Sequence, residues 1–313
     1  MIWLWISLGI IGGLIILVII MSIVVFHLAI NRYSLWNTDK NKVIFSFPEP
    51  YQSQALAYFD WFHNSGEIVS IKSFDGLTLK AKYFAHPSAK RTVIMAHGYR
   101  GKPDYDFSLS HHWFYEQECN VLVIYQRAHG LSEGKYITMG IYEREDIHSW
   151  EEYIESLDNL PIYLIGISMG TASILMSFYK PYSNRVKGIV ADCGYYSIHR
   201  QFVDEVGKFV SKPVARFFLF FANWWCVIFA KFSMKQVDTR KIVKNINLPI
   251  LFVHGDKDSF VKPYQSQRNY EACGSKEKVL IIAHGADHGK SLLFEEDKYK
   301  EEIKRIFLHD NDK

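Results

Sequence analysis

The sequence Gly-Ile-Ser-Met-Gly at positions 166–170 constrains the fold more than any other feature of the chain. The apolar run 161–165 precedes it, and the small and apolar residues 171–176 follow it. This pattern predicts a strand, a sharp turn and a helix, with Ser168 at the turn. Such a turn has no room for bulk at its flanks, and glycine meets that requirement on both sides. A serine placed in this way is typical of a nucleophile lifted clear of a sheet.

Two later apolar runs end in segments that carry an acid and a histidine. The run 249–253 is followed by Asp258, and the run 278–282 is followed by His288. With Ser168, the chain order is Ser, Asp, His, and each residue follows a predicted strand. This order predicts a hydrolytic triad.

Two further motifs follow predicted strands. They are His-Gly-Tyr-Arg-Gly at 97–101 and Arg-Ala-His-Gly-Leu-Ser-Glu-Gly at 127–134. Together with the turn at Ser168 and the segments around Asp258 and His288, they resemble the α/β-hydrolase superfamily. The resemblance is closer to its bacterial serine hydrolases, which include esterases and S9-like or S33-like peptidases. It implies an α/β fold with a mostly parallel central sheet flanked by helices.

The resemblance covers roughly 68–308 and favours one candidate in each loop. The family's acid stands at Asp-x-x-Val-x-Pro before the next helix, which favours Asp258 over Asp256. The family's histidine lies a few residues along its loop, which favours His288 over His284.

The resemblance also implies the role of each residue. Ser168 is the expected nucleophile, His288 the general base, and Asp258 the group that holds the imidazole in the required tautomer. The backbone NH groups of Tyr99 and Met169 are the expected oxyanion donors. No metal or organic cofactor is implied.

One motif departs from the family pattern. The usual Asp-x-Arg-Gly-His-Gly-x-Ser reads Tyr-Gln-Arg-Ala-His at 125–129. We expect this change to leave the triad intact and to alter the floor of the pocket. His97, His129 and His254 lie at strand ends beside glycine, where an imidazole more often supports a loop than transfers a proton.

The N-terminal segment 1–30 contains no Lys, Arg, Asp or Glu. About 20 apolar residues cross the roughly 30 Å hydrocarbon core, so the segment predicts one transmembrane helix. Trp3 and Trp5 at one end, with Tyr33 and Trp36 beyond the other, match interfacial aromatic belts. A cleavable signal peptide is the main alternative, but the segment lacks a basic start and a small-x-small cleavage site.

The distribution of charge predicts the orientation of the chain in the membrane and argues against a nucleic-acid partner. Arg32, Lys40 and Lys42 follow the span, so the positive-inside rule places the rest of the chain on the cytoplasmic side. The chain has 36 basic and 33 acidic residues, a net charge of +3, which argues against nucleic-acid binding. The four cysteines have no paired spacing and are expected to be buried or free thiols.

The predicted organisation is an anchor at 1–30, a connecting segment at 31–66 and an α/β-hydrolase domain at 67–313. A short helix is expected at 55–62 in the connecting segment. Asp75-Gly76 predicts a hairpin between strands. The predicted strands are 68–73, 77–84, 92–96, 121–125, 162–165, 186–191, 250–253 and 279–282.

The segment 195–246 separates two predicted strands by more residues than a simple connection needs, which predicts a helical lid. Its centre, 217–230, is uncharged and aromatic. Three interpretations remain open: packing on the core, a second membrane span of only about 14 uncharged residues, and an acyl pocket or lipid contact.

The expected function is a membrane-anchored serine hydrolase of carboxylic esters with apolar acyl chains. The expected partners are a small-molecule ester or lipid substrate and a membrane, and the oligomeric state stays open. A serine peptidase is the first alternative, for which an acidic lid pair such as Asp204 and Glu205 is a cue. A non-catalytic binding module on the same fold is the second.

Overall fold

The computed structural model describes residues 1–32 and 47–308. Its strands are β1 (Glu67–Lys72), β2 (Thr78–Phe84), β3 (Arg91–Ala96), β4 (Cys119–Tyr125), β5 (Ile162–Ile167), β6 (Val186–Asp192), β7 (Ile250–Gly255) and β8 (Lys278–Ala283). They form one sheet in the order β1-β2-β4-β3-β5-β6-β7-β8. β2 runs antiparallel to β1 and β4, and the remaining pairs are parallel. Each strand coincides with a predicted one.

The helices cover both faces of this sheet. They are α1 (Ile2–Ile30), α2 (Tyr51–Asn64), α3 (Pro103–Asp106), α4 (His111–Glu116), α5 (Glu143–Leu157), α6 (Met169–Ser177), α7 (Ile198–Val206), α8 (Lys212–Ala230), α9 (Arg240–Val243), α10 (Tyr264–Ala272), α11 (Ser291–Phe294) and α12 (Glu296–Leu308). One core cluster contains Trp150 of α5, and the cluster on the other face contains Phe114 of α4 and Phe307 of α12. Successive residues of each central strand point to opposite faces of the sheet, and both faces are covered by helices.

The turn between β5 and α6 is as tight as its sequence predicts. Ser168 has φ 55° and ψ −114°, a conformation that costs a non-glycine residue free energy. A Cβ on Gly166 would lie 2.5 Å from the Thr171 nitrogen, and one on Gly170 would lie 1.9 Å from the Ala96 carbonyl oxygen. Glycine is therefore required at both flanks because the neighbouring atoms are backbone.

The insertion between β6 and β7 is helical, as predicted, and α8 is its longest element. One face of α8 packs inward through Ala215, Leu219, Ala222, Cys226 and Ala230. The other face is exposed and apolar, with Val214, Phe217, Phe220, Trp224, Val227 and Ile228. The same helix thus packs on the domain and presents an apolar surface.

Two helices are long and apolar enough to cross a membrane among the described residues. They are α1, with mean hydropathy 3.1, and α8, with mean hydropathy 1.5. The uncharged stretch 217–230 forms the C-terminal part of α8, whose 19 residues also include Lys212 and Arg216. Its inward face nevertheless belongs to a core cluster with Phe232 and Met234, so it is part of the folded domain.

Helix α1 is exposed along most of 2–20 and packed at its C-terminal end. Ser22, Phe26 and Ile30 are buried there. Tyr33, Trp36, Lys40 and Lys42, on which the belt and orientation expectations rest, lie outside the described residues.

Helix α2 confirms and lengthens the short helix expected at 55–62. Phe62 is buried, and the ring of Trp61 stacks on Phe84 at 4.3 Å between centroids. This helix therefore packs on the domain. The cysteine expectation is also confirmed, since all four are buried free thiols.

Candidate active site

The fold brings Ser168, His288 and Asp258 into one hydrogen-bonded relay. His288 Nε2 lies 2.9 Å from Ser168 Oγ, and His288 Nδ1 lies 2.6 Å from Asp258 Oδ2. Because the carboxylate can only accept, Nδ1 carries the proton and Nε2 accepts from the serine hydroxyl. This is the tautomer in which a histidine can act as general base toward Ser168.

Asp258 is held by four donors. Its Oδ1 accepts from the backbone NH groups of Phe260 at 2.9 Å and Val261 at 2.8 Å. Its Oδ2 accepts from His288 and from His254 Nε2 at 3.0 Å. Burial acts to raise the pKa of Asp258, but the bonds from the two histidines outweigh it and hold the pKa well below its usual value. The carboxylate is therefore ionised at any working pH.

The alternative acid and base lie apart from this relay. His284 Nδ1 faces Asp256 Oδ2 at 3.2 Å, and the His284 side chain is 80% exposed. The Ser168 side chain is reached by His288 and not by this second pair. The geometry therefore favours the two residues that the family spacing selected.

The backbone NH of Met169 begins α6, and that of Tyr99 lies in the loop 97–101 after β3. Among the described residues neither NH donates to another group. The loop is fixed at Gly98, whose NH donates to Asp106 Oδ2 at 2.8 Å. A Cβ on Gly98 would lie 3.3 Å from the Ser168 Cβ, so the loop passes directly over the serine.

His97, His129 and His254 hydrogen-bond to loops, as expected. His129 Nε2 accepts from the Arg100 NH at 3.0 Å, and His97 Nε2 accepts from the Gln126 NH at 3.1 Å. His254 Nε2 lies close to two acceptors, Asp258 and the Val261 carbonyl, so it carries a proton and donates. His254 thus also positions the acid.

The altered motif at 125–129 does not form the pocket floor, contrary to expectation. The Arg127 side chain forms ion pairs with Asp146 at 2.6 Å and Asp75 at 2.9 Å. Gln126 donates to the His97 carbonyl and accepts from Ser173. These contacts direct the segment into the protein beneath the loop instead of toward the cavity.

Ser168 and His288 line a cavity of about 930 Å³. Its walls are mostly apolar and come from α1, the 97–110 region, α7, the start of α8 and the 288–293 segment. Phe202, Val206 and Phe218 are part of the lid wall. The volume is at the upper end of the roughly 300–1,000 Å³ of ligand pockets.

Asp192, at the end of β6, is a buried carboxyl beside the serine. Its Oδ1 accepts from Ser291 Oγ at 3.1 Å and its Oδ2 from the Tyr299 hydroxyl at 3.2 Å. Burial raises the pKa of Asp192 to about 6.

One group of potential metal ligands lies close together among residues 1–32 and 47–308. It consists of Cys193, Asp258 and His288. Burial raises the pKa of the Cys193 thiol well above its usual value, so the sulfur keeps its proton. The other two residues already bond to each other, and the geometry is that of a proton relay.

Three groups of this site were not predicted from the sequence as parts of it. Asp106 fixes the loop over Ser168, His254 donates to the acid, and the end of α1 forms part of the cavity wall. Only His254 stood at a recognisable strand end.

Comparison with known proteins agrees with this architecture. The esterase Pf2001 of Pyrococcus furiosus superposes with a TM-score of 0.63 at 19% identity, covering 80% of this chain and 93% of that protein. This likeness establishes the α/β-hydrolase fold for the chain, as the motifs implied.

A family model described as serine aminopeptidase, S33 matches residues 222–297, a stretch that contains Asp258 and His288. The YqkD protein of Bacillus subtilis (strain 168) is 24% identical over 250 residues, 77% of this chain and 79% of its own length. Protein bem46 of Schizosaccharomyces pombe (strain 972) is 23% identical over 238 residues, 74% of each chain. The family model and the esterase-like fold together support a hydrolase.

The buried Asp192 predicts a pH dependence of stability. Its folded-state pKa of about 6 lies above its ordinary 3.8, so the folded protein binds the proton more tightly. Stability from this group is therefore lost as pH rises from about 4 to about 6. The Asp192→Asn protein does not have this loss. We therefore expect the free energy of unfolding of the variant, minus that of wild type, to increase by about 1 kcal/mol or more between pH 4 and pH 6.

Denaturant unfolding in mild detergent at several pH values measures this difference. Asp60→Asn, an exposed site on α2, is the control and should follow the wild-type pH dependence. Parallel wild-type and Asp192→Asn curves would show that the carboxyl does not titrate in this range.

Proposed function

We propose that this chain is a membrane-anchored serine hydrolase that cleaves carboxylic esters with apolar acyl chains through an acyl-enzyme. The observation that carries the proposal is the Ser168–His288–Asp258 relay on the wall of a mostly apolar cavity. A serine hydroxyl is a weak nucleophile until a base removes its proton, and the relay supplies that base.

In the first half-reaction, Ser168 Oγ attacks the ester carbonyl carbon while His288 Nε2 takes the hydroxyl proton. The carbonyl oxygen becomes an oxyanion, for which the Met169 and Tyr99 NH groups are the donors at hand. The C–O bond to the alcohol then breaks, and His288 returns the proton to the leaving oxygen. Asp258 stabilises the imidazolium without taking a proton.

In the second half-reaction, water replaces the alcohol. His288 removes a proton from the water as its oxygen attacks the acyl carbon. The bond to Ser168 Oγ then breaks, His288 returns the proton to the serine, and the carboxylic acid leaves. Because the same imidazole acts in both halves, its replacement blocks acylation and deacylation alike.

A serine peptidase is the second candidate, favoured by the family-model match over 222–297. Binding a peptide's free amino terminus calls for an available carboxylate. Asp204 already binds Arg200 and the Tyr264 hydroxyl, and Glu205 pairs with Lys208 at 2.6 Å. Asp204 is thus paired, whereas Glu205 lines the cavity that contains Ser168 and is the carboxylate that a peptide amino terminus would meet there.

Membrane anchoring rests on the apolar α1, and the cytoplasmic side rests on Arg32, Lys40 and Lys42. A C-terminal fusion in a bacterial host tests both. We expect a fluorescent-protein fusion to fluoresce in the membrane fraction and an alkaline phosphatase fusion to be inactive. An active phosphatase fusion would place the domain on the outer side of the membrane. Fluorescence only in the soluble fraction would show that α1 does not anchor the chain.

The triad predicts the effect of single substitutions on aryl-ester hydrolysis. Ser168→Ala and His288→Ala should each lower kcat by at least about 1,000-fold, since each removes a group that forms or accepts a bond in the transition state. The kcat of Asp258→Asn should be about 10³–10⁴-fold below that of wild type, because the amide favours the wrong tautomer of His288.

His284→Ala is the matched control, because His284 is the exposed histidine of the same loop. Its kcat should stay within about twofold of wild type, as expected for a surface substitution. If the folded wild type hydrolyses a peptide amide but no ester, the esterase proposal is wrong and the chain is a peptidase. If it hydrolyses neither, the chain is a non-catalytic binding module.

A further inference from the structure

Helix α1 enters the domain as a fixed structural element. Trp225 Nε1 donates to Ser22 Oγ at 2.9 Å, and the rings of Phe26 and Phe229 lie 5.6 Å apart. The Ile137 NH donates to the Ile30 carbonyl at 2.8 Å. The C-terminal turns of the apolar helix are thus packed against the lid and the body of the domain.

The loop over Ser168 binds the end of the same helix. The Tyr99 hydroxyl donates to the Ala29 carbonyl at 2.7 Å. Arg100 Nη2 donates to the Leu28 and Asn31 carbonyls, each at 2.8 Å. The last carbonyls of a helix have no partners within it and attract cations, so this contact is favourable. It fixes α1 beside the serine.

One side of α1 faces the cavity that contains Ser168. Met21, Val25, Leu28 and Ala29 line it. From Met21 to Ala29 the helix contributes a wall of about 12 Å, at 1.5 Å per residue. The wall is apolar throughout, so it fits a hydrocarbon chain and offers a polar alcohol or peptide group no partner.

The cavity is rimmed by exposed apolar side chains. Met21, Phe209 and Val214 all line it, and they are 48%, 88% and 52% exposed. Exposed apolar side chains at a cavity mouth mark contact with a partner of low polarity. Met21 also directly follows the exposed segment 2–20, whose 19 residues are about 28 Å long, close to the hydrocarbon thickness of a bilayer.

Resting on the proposed function, we infer that α1 is a wall of the substrate site as well as the anchor. The substrate is an ester of a bilayer lipid. Its acyl chain enters from the membrane at the mouth formed by Met21, Phe209 and Val214 and lies along Val25 and Leu28, with the ester carbonyl at Ser168.

Adjacent valines of α1 provide a matched test. Val25 lines the cavity, whereas Val24 is 43% exposed and does not. Full-length wild type, Val25→Trp and Val24→Trp are reconstituted in phosphatidylcholine nanodiscs. The measurement is kcat/KM for 4-nitrophenyl acetate, octanoate and dodecanoate, and the release of fatty acid from the phosphatidylcholine and from added diacylglycerol.

We expect wild type to prefer long chains and to release fatty acid from at least one of the lipids. Val25→Trp should lower the dodecanoate-to-acetate ratio of kcat/KM by about tenfold or more, because a misfit of one or two methylenes in an apolar pocket has an effect of that size. Val24→Trp should leave this ratio and the lipid activity at wild-type values. Val25→Ala, which adds room without bulk, should shift the preference toward longer chains and covers the case in which the tryptophan variant does not fold.

The inference is overturned if Val25→Trp and Val24→Trp change the ratio equally, or if Val25→Ala leaves the chain preference unchanged. It is also overturned if wild type cleaves acetate but neither dodecanoate nor lipid. In that case the serine-esterase chemistry of the proposed function stands, and its preference for apolar acyl chains fails. If wild type cleaves no ester at all, the proposed function itself fails.

Discussion

The close approach of the Ser168 turn to the end of β3 is the constraint on which the site depends. Gly170 lies so near the Ala96 carbonyl that a single added carbon would overlap it. This contact sets the height of α6 on the sheet, and the strained Ser168 backbone then directs the hydroxyl out of the sheet edge. The parallel order of β5, β6, β7 and β8 brings the segments with Asp258 and His288 to the same edge. Ser168, Asp258 and His288 meet because the strands end together.

A second layer of contacts fixes the parts that this backbone geometry leaves free. Asp258 is held by the buried His254 and by two backbone NH groups. The NH groups bind Oδ1, so Oδ2 is the oxygen that faces His288. Asp106 and His129 hold the loop that carries Tyr99 over the serine. These groups do not contact Ser168 Oγ, yet each restricts where Asp258 or the loop 97–101 can lie. The site is therefore preorganised by neighbours contributed from several separate segments.

The sequence predicted the strands well, because each buried parallel strand is a short apolar run bounded by polar or glycine-containing segments. It also selected Ser168, Asp258 and His288, since each stands at a recognisable spacing after its strand. The docking of α1 was beyond such reasoning. Its contacts reach Arg100 and Trp225, about 70 and 200 residues along the chain, and no local pattern encodes them. A helix apolar on all sides shows by composition only that it avoids water, not which face packs on protein.

The altered segment 125–129 is a second case in which the local sequence did not encode the long-range contacts. Its unusual residues suggested a changed pocket, whereas none of 125–129 lines the cavity with Ser168, and Arg127 pairs with Asp75 and Asp146. Asp75, 52 residues before Arg127, is a distant partner of this kind. Motifs thus locate the candidate site residues, and long-range contacts decide what surrounds them.

The most direct test of the account is to identify the nucleophile chemically. Full-length protein in detergent is treated with a fluorophosphonate, digested and analysed by mass spectrometry. The account predicts one adduct per chain, on Ser168, that is absent when the protein is unfolded before treatment and strongly reduced in His288→Ala. An adduct on another serine, or none on the folded protein, would contradict the assignment of Ser168 as a nucleophile activated by His288.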